Sequence, residues 1–323
     1  MRVSNAAELW MKPIFGLPLL WAIFTGGIHA ADPSNWRVEA KLEIGFDSLN
    51  EVSGISRSPR FPNQFWLHND SGDSARLFAI DQSGSLLFPQ FLKFHGQKVV
   101  SGTTPWPGFK IELAANYDWE DIASDEDWIY IADTGNNGNA RRDLGIYKVP
   151  QFNAGAVEKT RAMSFIPVAY PEQHSFPGED WHFDAEALFV DQGQLYLITK
   201  HRVAGRISQF EPGGNLYRVD SSPPAAGGKV VKVDSSSELF MVTAADLSPS
   251  REKLAVLGYR NLWIFLRPQK GDRWLSRLDR VLDLAPFEMG QVEAVTFVDE
   301  DLLWVLNEAG QVFEVEMPAQ FGE

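Results

Sequence analysis

From residue 36 onward the chain reads as short alternations, with no stretch of helical period. Runs rich in β-branched and aromatic residues recur between clusters of Asp, Asn, Gly and Pro, the pattern of strands closed by tight turns. Laid over one another, these runs repeat five times. Each repeat opens with a polar turn into a small-residue strand: EVSGI (51–55), DWEDI (118–122), DAEAL (184–188), TAADL (243–247) and QVEAV (291–295). A strongly apolar strand follows: QFWL (64–67), WIYI (128–131), QLYLI (194–198), KLAVL (253–257) and LLWVL (302–306). After a second polar turn comes a third strand: RLFAI (76–80), LGIYKV (144–149), NLYRV (215–219), NLWIF (261–265) and QVFEV (311–315). A fourth strand, as in FKIEL (109–113) or RVLDL (280–284), leads into the next repeat.

With Ile55, Ile122, Leu188, Leu247 and Val295 taken as equivalent, the repeats are offset by 67, 66, 59 and 48 residues. Four strands per repeat at that spacing predict an all-β fold, a five-bladed β-propeller with four-stranded blades. The fifth repeat lacks a fourth strand, and a spare one, RVEAKLEI (37–44), stands before the first motif. The N-terminal strand is therefore expected to complete the last blade and close the ring. The alternative is six blades, with the extra one in the long first repeat around Val99 to Pro107. A β-sandwich fits less well, because it would not repeat the same turn before every fourth strand.

The first thirty residues follow another rule. Ile14 to Thr25 is a short apolar run, preceded by Lys12 and followed by small residues up to Ala30. It is shorter than the roughly 20 residues that span a bilayer, and it predicts a signal peptide over 1–30. An uncleaved anchor helix is the alternative. Residues 35–323 then form a single propeller domain, periplasmic or secreted, with no integral membrane segment. The chain has no cysteine, which excludes disulfides, thiol catalysis and thiolate metal sites. Its formal net charge is −14, or −15 once Arg2, Glu8 and Lys12 are lost with the leader. Nucleic acid is a poor partner for such a chain, and multivalent cations are good ones.

In a propeller the first strand of each blade lines the axis, and side chains alternate along it. Two residues before the aligned aliphatic stand Ser53, Glu120, Glu186, Ala245 and Glu293. If that position faces the axis, Ser53, Glu120, Glu186 and Glu293 converge as metal ligands. Clustered carboxylates call for a counter-cation, and hard oxygen donors suit Ca²⁺, or less readily Mg²⁺. Glu51, Asp118, Asp121, Asp184 and Asp246 could add an outer ring at the channel mouth. In the competing reading these acids only cap strand starts and bind turn amides.

The Ser–Glu–Glu–Glu pattern resembles the central site of the calcium-activated nucleotidases, or apyrases, which are five-bladed propellers. The resemblance implies a Ca²⁺ role for Ser53, Glu120, Glu186 and Glu293. It departs at Ala245, where water or Asp246 would have to substitute, and no nucleotide-contacting motif transfers. The strings HNDSGDS (68–74), DWEDIA (118–123), DTGNN (133–137) and DAEAL (184–188) are similar to a group of exported bacterial propellers related in style to phytase-like and WD-repeat-like (WD40-like) domains. That similarity implies a fold and little chemistry.

The turns between second and third strands share a rim with the acids. They bring Asp70, Arg141, Arg142, Lys200, Arg202 and Arg260 as candidate ligand-binding residues, and His68 and His201 as candidate acid–base groups. No nucleophile elbow, zinc-protease helix or phosphate-cradling loop accompanies them. Two functions remain open. One is a binding module for a small anionic ligand, a protein or a polysaccharide, with Trp106, Trp119 and Trp181 as candidate exposed contacts, though Trp119 could equally pack between blades. The other is a Ca²⁺-dependent hydrolase of phosphate esters or other small anionic esters.

Overall fold

The computed structural model describes residues 36–220 and 228–318, and the expected signal peptide lies outside them. The first strand, β1 (Arg37–Glu43), is followed by β2 (Val52–Arg57), β3 (Phe65–Asn69) and β4 (Arg76–Ile80). A long connection holds a two-stranded ribbon of β5 (Phe94–His95) and β6 (Thr104–Pro105), and β7 (Phe109–Glu112) then completes blade 1. Blade 2 runs β8 (Trp119–Ser124), β9 (Trp128–Asp133) and β10 (Gly145–Pro150). Next, β11 (Lys159–Arg161) adds in parallel to the outer edge of blade 1, before β12 (Ser164–Pro167) ends blade 2. Blade 3 comprises β13 (Trp181–Asp191), β14 (Gln194–Arg202), β15 (Gly214–Val219) and β16 (Val230–Ser236). Blade 4 comprises β17 (Val242–Leu247), β18 (Lys253–Gly258), β19 (Asn261–Leu266) and β20 (Leu278–Asp283). Blade 5 holds β21 (Val292–Phe297), β22 (Leu302–Asn307) and β23 (Gln311–Glu316), with β1 as its fourth strand.

The protein is thus an all-β, five-bladed propeller. Its innermost strands β2, β8, β13, β17 and β21 neighbour one another in that order and close from β21 back onto β2. The ring closes as the spare-strand argument requires, with Val38 of β1 opposite Val315 of β23. There is no sixth blade: Val99 and Val100 are exposed in the blade 1 connection, whose only sheet among the described residues is the ribbon β5–β6. No described helix is long and apolar enough to cross a membrane.

Aromatic and aliphatic side chains from facing blades fill the spaces between sheets. Phe65 of blade 1 stacks on Trp304 of blade 5 at 4.6 Å, and both rings are buried. Trp106, Trp119 and Trp181 are buried too, which corrects their reading as exposed partner contacts. Trp106 stacks on Phe88 at 5.5 Å, and Trp119 Nε1 donates to Ala115 O at 2.9 Å. Apolar area taken from water by these rings offsets the entropic cost of ordering the blades.

Each innermost strand carries an irregularity near its start, where the ladder to the second strand slips. The slips fall at Val52/Gly54, Trp119/Ile122, Ala185/Ala187, Val242/Ala244 and Val292/Ala294. A bulge leaves its extra residue unpaired and re-aims it. The bulged residues are Ser53, Glu120 with Asp121, Glu186, Thr243 and Glu293. The fourth blade is therefore displaced by two positions from its sequence alignment, and Thr243 rather than Ala245 is the equivalent of Ser53. Thr243 behaves accordingly: its hydroxyl donates to Val292 O of the next blade at 3.2 Å, as Ser53 donates to Glu120 O at 2.7 Å.

Candidate functional site

A cavity of about 240 Å³ opens on the axis at the end where the innermost strands begin. Ser53, Glu120, Glu186 and Glu293 all line it, with Glu51, Asp70, Lys200, Arg202 and Glu308. Alternation along each strand and the bulge at its start together turn these side chains inward. Val52, Tyr259, Phe210 and Gln291, which sequence reasoning did not single out, complete the wall together with Asn137 of the DTGNN turn.

The oxygen-bearing residues differ in what already holds them. Ser53 is committed to the Glu120 carbonyl. Glu186 is 3% exposed and pairs with Lys200 Nζ at 2.8 Å, with Arg202 Nη2 at 3.7 Å. Behind it, Asp184 accepts from Arg202 Nε at 3.0 Å and from Asn136 N at 2.6 Å. Arg202 also donates to Asn137 Oδ1 and to Ile207 O. Glu293 accepts from Tyr259 Oη at 2.7 Å and Gln291 Nε2 at 2.9 Å. Blade 3 therefore brings two bases to its own two acids. The hairpin register explains this, since Lys200 on β14 stands opposite Asp184 on β13.

Glu120 is the exception. It is 7% exposed, lines the cavity, and its carboxylate has no hydrogen bond or ion pair among the described residues. Burial, then the carboxylates of Glu186, Asp184, Asp70 and Asp118, push it well above the ordinary carboxylate range. Asp118 likewise has no partner for its carboxylate among the described residues, and burial followed by Asp70 and Asp184 raises it to about 6. Asp70 is raised mainly by burial, although it accepts from Ser71 N. Oxygens of Asp70, Asp118 and Glu120 lie within 4.8 Å of one another, as do those of Glu120, Asp184 and Glu186. Lys200 and Arg202 form ion pairs with the second triad, whereas no residue of the first makes an ion pair among the described residues, although Lys200 acts on Asp70 and Glu120, and Arg141 on Asp118, from a distance.

Gly135, in the DTGNN turn, makes the first triad possible. A β-carbon there would lie 2.0 Å from Glu120 Oε1 and 2.4 Å from Asp118 Oδ2, so any side chain would displace both acids. The acidic cluster could hold a metal ion, with the Asp70, Asp118 and Glu120 oxygens turned toward a common point.

Other candidates sit elsewhere. His68 is fully buried, T-shaped against Trp119, and burial pushes it down to about 4. His201 stacks on His182 at 3.8 Å, and burial, then His182 and Lys232, push it to about 3. Neither histidine lines the cavity, so neither is placed to move a proton there. Arg141 is held by Asp133 at 2.9 Å, Gly135 O at 2.9 Å and Asp143 at 3.2 Å. Arg142 lies over the Phe176 ring at 4.3 Å, and Arg260 is exposed; none of these three arginines reaches the cavity wall.

Two of the expected outer acids have different work. Asp121 is fully buried, and its Oδ2 accepts from Leu188 N at 2.8 Å and Ala245 N at 3.1 Å while Oδ1 accepts from Ile122 N at 2.8 Å. It ties blades 2, 3 and 4 together at the axis. Asp246 cannot stand in for the missing fourth-blade ligand. It faces the opposite end of the channel, where it accepts from Phe297 N at 2.8 Å and Thr296 Oγ1 at 2.9 Å.

No protein-family model matches the chain, and no curated protein matches it in sequence. Among solved structures it is loosely similar to the PQQ-bound aldose sugar dehydrogenase of Streptomyces coelicolor, with 14% identity over 88% of this chain and 99% of that one, at a TM-score of 0.44. A putative oxidoreductase (glucose dehydrogenase) of Thermus thermophilus shows 12% identity over 87% of this chain and 99% of that one, with a TM-score of 0.41. A luciferin-regenerating enzyme shows 14% identity over 88% of this chain and 81% of that one, with a TM-score of 0.40. Likeness this distant transfers no cofactor and no reaction to this chain.

Proposed function

We propose that this protein is an exported, Ca²⁺-dependent binding propeller, in which Asp70, Asp118 and Glu120 hold the ion at the mouth of the central cavity. The observation that carries this reading is the Glu120 carboxylate: buried, aimed into the cavity, and without a partner among the described residues. An ionised carboxylate in that setting needs positive charge; four acids act on it, and Lys200, which it also feels, is already paired with Glu186. The donor set fits the ion. Three carboxylates with oxygens within 4.8 Å of one another are close enough to share one Ca²⁺ at its usual oxygen distances of about 2.3–2.6 Å, with waters completing the shell. Mg²⁺ prefers shorter bonds and a stricter octahedron, and suits this set less well. An extracellular or periplasmic setting also suits a Ca²⁺ site of moderate affinity.

The charge of the wall bears on the ligand. Glu51, Asp70, Glu120, Glu186, Glu293 and Glu308 face only Lys200 and Arg202, and both bases are committed to blade 3 acids. The lining thus offers a phosphate ester no uncommitted base. The balance favours a neutral or cationic ligand over an anionic one, and a binding role over ester hydrolysis.

The test is thermal melting of the protein in EDTA and with Ca²⁺ titrated back, for wild type and Glu120→Gln. An ion held only by the folded state stabilises by RT ln(1 + [L]/Kd), about 2.7 kcal/mol at a hundredfold excess over Kd. Wild type should gain stability with Ca²⁺ and Glu120→Gln should gain little. Melting curves that coincide with and without Ca²⁺ would overturn the proposal.

A further inference from the structure

The connection between β4 and β7 of blade 1 has a composition unlike the rest of the chain. Residues 82–111 contain no aspartate or glutamate, although the chain carries 43 acids in 323 residues. They bring Lys93, Lys98 and Lys110, all exposed. Glu112, the next acid, is taken by Lys159 at 2.7 Å, and none of the three lysines makes an ion pair among the described residues. The same segment exposes Phe91 at 73%, Val99 at 77% and Val100 at 52%. Single exposed apolar residues are ordinary, but three within ten residues, beside two free lysines, mark a contact surface.

The segment is built to hold these side chains outward. Behind them, Trp106 packs against Phe88, Phe94 and Phe109 at 5.5, 5.1 and 5.0 Å, and its backbone N donates to His95 O at 2.8 Å. His95 Nδ1 meets Thr103 Oγ1 at 2.7 Å. Two turns shape the outer end. Leu92 N donates to Pro89 O at 3.1 Å, which sets Gln90 and Phe91 at the tip of the first. Thr103 N and Oγ1 donate to Val100 O at 3.2 and 2.6 Å and close the second, where Gly102, at φ 79°, takes the left-handed position such a turn needs. Strands β5 and β6 run parallel, with Phe94 beside Thr104, so both turns leave the same end of the ribbon. Thr104 N donates to Lys93 O at 3.3 Å, which places Lys93 beside the second turn.

We propose that this end of the ribbon docks on an anionic lipid surface, with Phe91, Val99 and Val100 entering the headgroup region and Lys93 and Lys98 meeting lipid phosphates. The charge of the segment complements such a surface and no other part of so acidic a chain is free of acids for as long. Separate apolar tips beside lysines suit an interface that yields around them, whereas a protein partner calls for a continuous, shaped apolar face. The net charge of −14 does not oppose close approach. Exposed charges farther off than about 8 Å are screened at physiological ionic strength, so the lipid meets the local lysines.

The experiment is co-sedimentation of residues 31–323, which contain every described residue, with vesicles of phosphatidylcholine with and without phosphatidylglycerol. Leaving out the apolar leader keeps it from binding lipid itself, and EDTA keeps Ca²⁺ from bridging acids to phosphates. The protein should sediment with the phosphatidylglycerol vesicles, far less with phosphatidylcholine alone, and less as salt rises. The double variant Lys93→Gln, Lys98→Gln should lose about thirtyfold in affinity, and Phe91→Ser about tenfold. Arg260→Gln with Lys270→Gln, the same charge change on exposed residues of blade 4, should lose nothing. Melting temperatures measured alongside show that the variants are folded. Equal sedimentation with both vesicles, indifference to the lysine pair or to Phe91, or equal loss in the blade 4 pair would overturn the proposal. So would binding to soluble polyglutamate as tight as to the anionic vesicles, which would assign the segment to an acidic protein instead.

Discussion

The Asp121 carboxylate offers the sharpest test of how the blades are held at the axis. It accepts three backbone amides from three blades, those of Ile122, Leu188 and Ala245, and is wholly excluded from solvent. Asp121→Ala removes the acceptor from all of them. Leu188 and Ala245 are themselves buried, at 0% and 2% exposure, so water does not easily replace it. Leaving a buried donor unmade costs about 1–3 kcal/mol, and the total for the substitution is about 3–6 kcal/mol. Asp121→Asn keeps one acceptor oxygen for the Leu188 and Ala245 amides but points an NH₂ at the Ile122 amide. Its loss should be smaller, about 1–3 kcal/mol. Urea unfolding followed by tryptophan fluorescence measures both. Because Asp121 does not line the acidic cavity, the losses should be the same in EDTA and in Ca²⁺. A loss below about 1 kcal/mol for Asp121→Ala, or equal effects of Ala and Asn, would refute the idea that this carboxylate binds the blades together.

Further outcomes follow from the same geometry. Gly135→Ala removes no ligand but drives a methyl onto Glu120 and Asp118, so Ca²⁺ stabilisation should be lost while the circular dichroism spectrum stays that of a β-propeller. Lys200→Met leaves the buried Glu186 without its principal ion pair and should cost about 3–5 kcal/mol in EDTA, part of which Ca²⁺ restores; a variant as stable as wild type in EDTA would contradict the pairing. Asp246 is raised to about 6, first by burial, so the folded state holds its proton more tightly than the unfolded chain does. Its contribution to stability is present below the ordinary carboxylate range and is lost as pH rises to about 6, a loss that Asp246→Asn should remove from the pH profile of melting measured in EDTA. Deleting residues 36–43 takes away the fourth strand of blade 5 and should open the ring, read as loss of cooperative melting.

Much of the architecture was legible in one dimension. Alternating strands, five repeats and the unpaired first strand favoured a closed ring of five blades, because ring closure gives that strand a partner; the sixth blade considered around Val99 to Pro107 was excluded only by the fold. Convergence of Ser53, Glu120, Glu186 and Glu293 was legible as well, since equivalent positions of a repeat face one axis. The register of the fourth blade was not. There the sequence match leaned on the Asp–Leu pair at 246–247, while the backbone bulge sits earlier and makes Thr243 the equivalent of Ser53. The three tryptophans misled for a related reason: a turn-rich connection reads as surface until side chains distant in sequence cover it, as Phe88, Phe94 and Phe109 surround Trp106.

By itself, the sequence determined the strand period, the five repeats and four of the side chains that reach the axis, because side-chain alternation and repetition are properties of the chain alone. Only the tertiary structure decided which acids keep their charge uncompensated. Glu186 meets Lys200 across its own hairpin, Glu293 meets Tyr259 of the preceding blade, and Glu120 meets no partner among the described residues. Electrostatic demand depends on distances between groups far apart in the chain, and those distances exist only once the blades have closed.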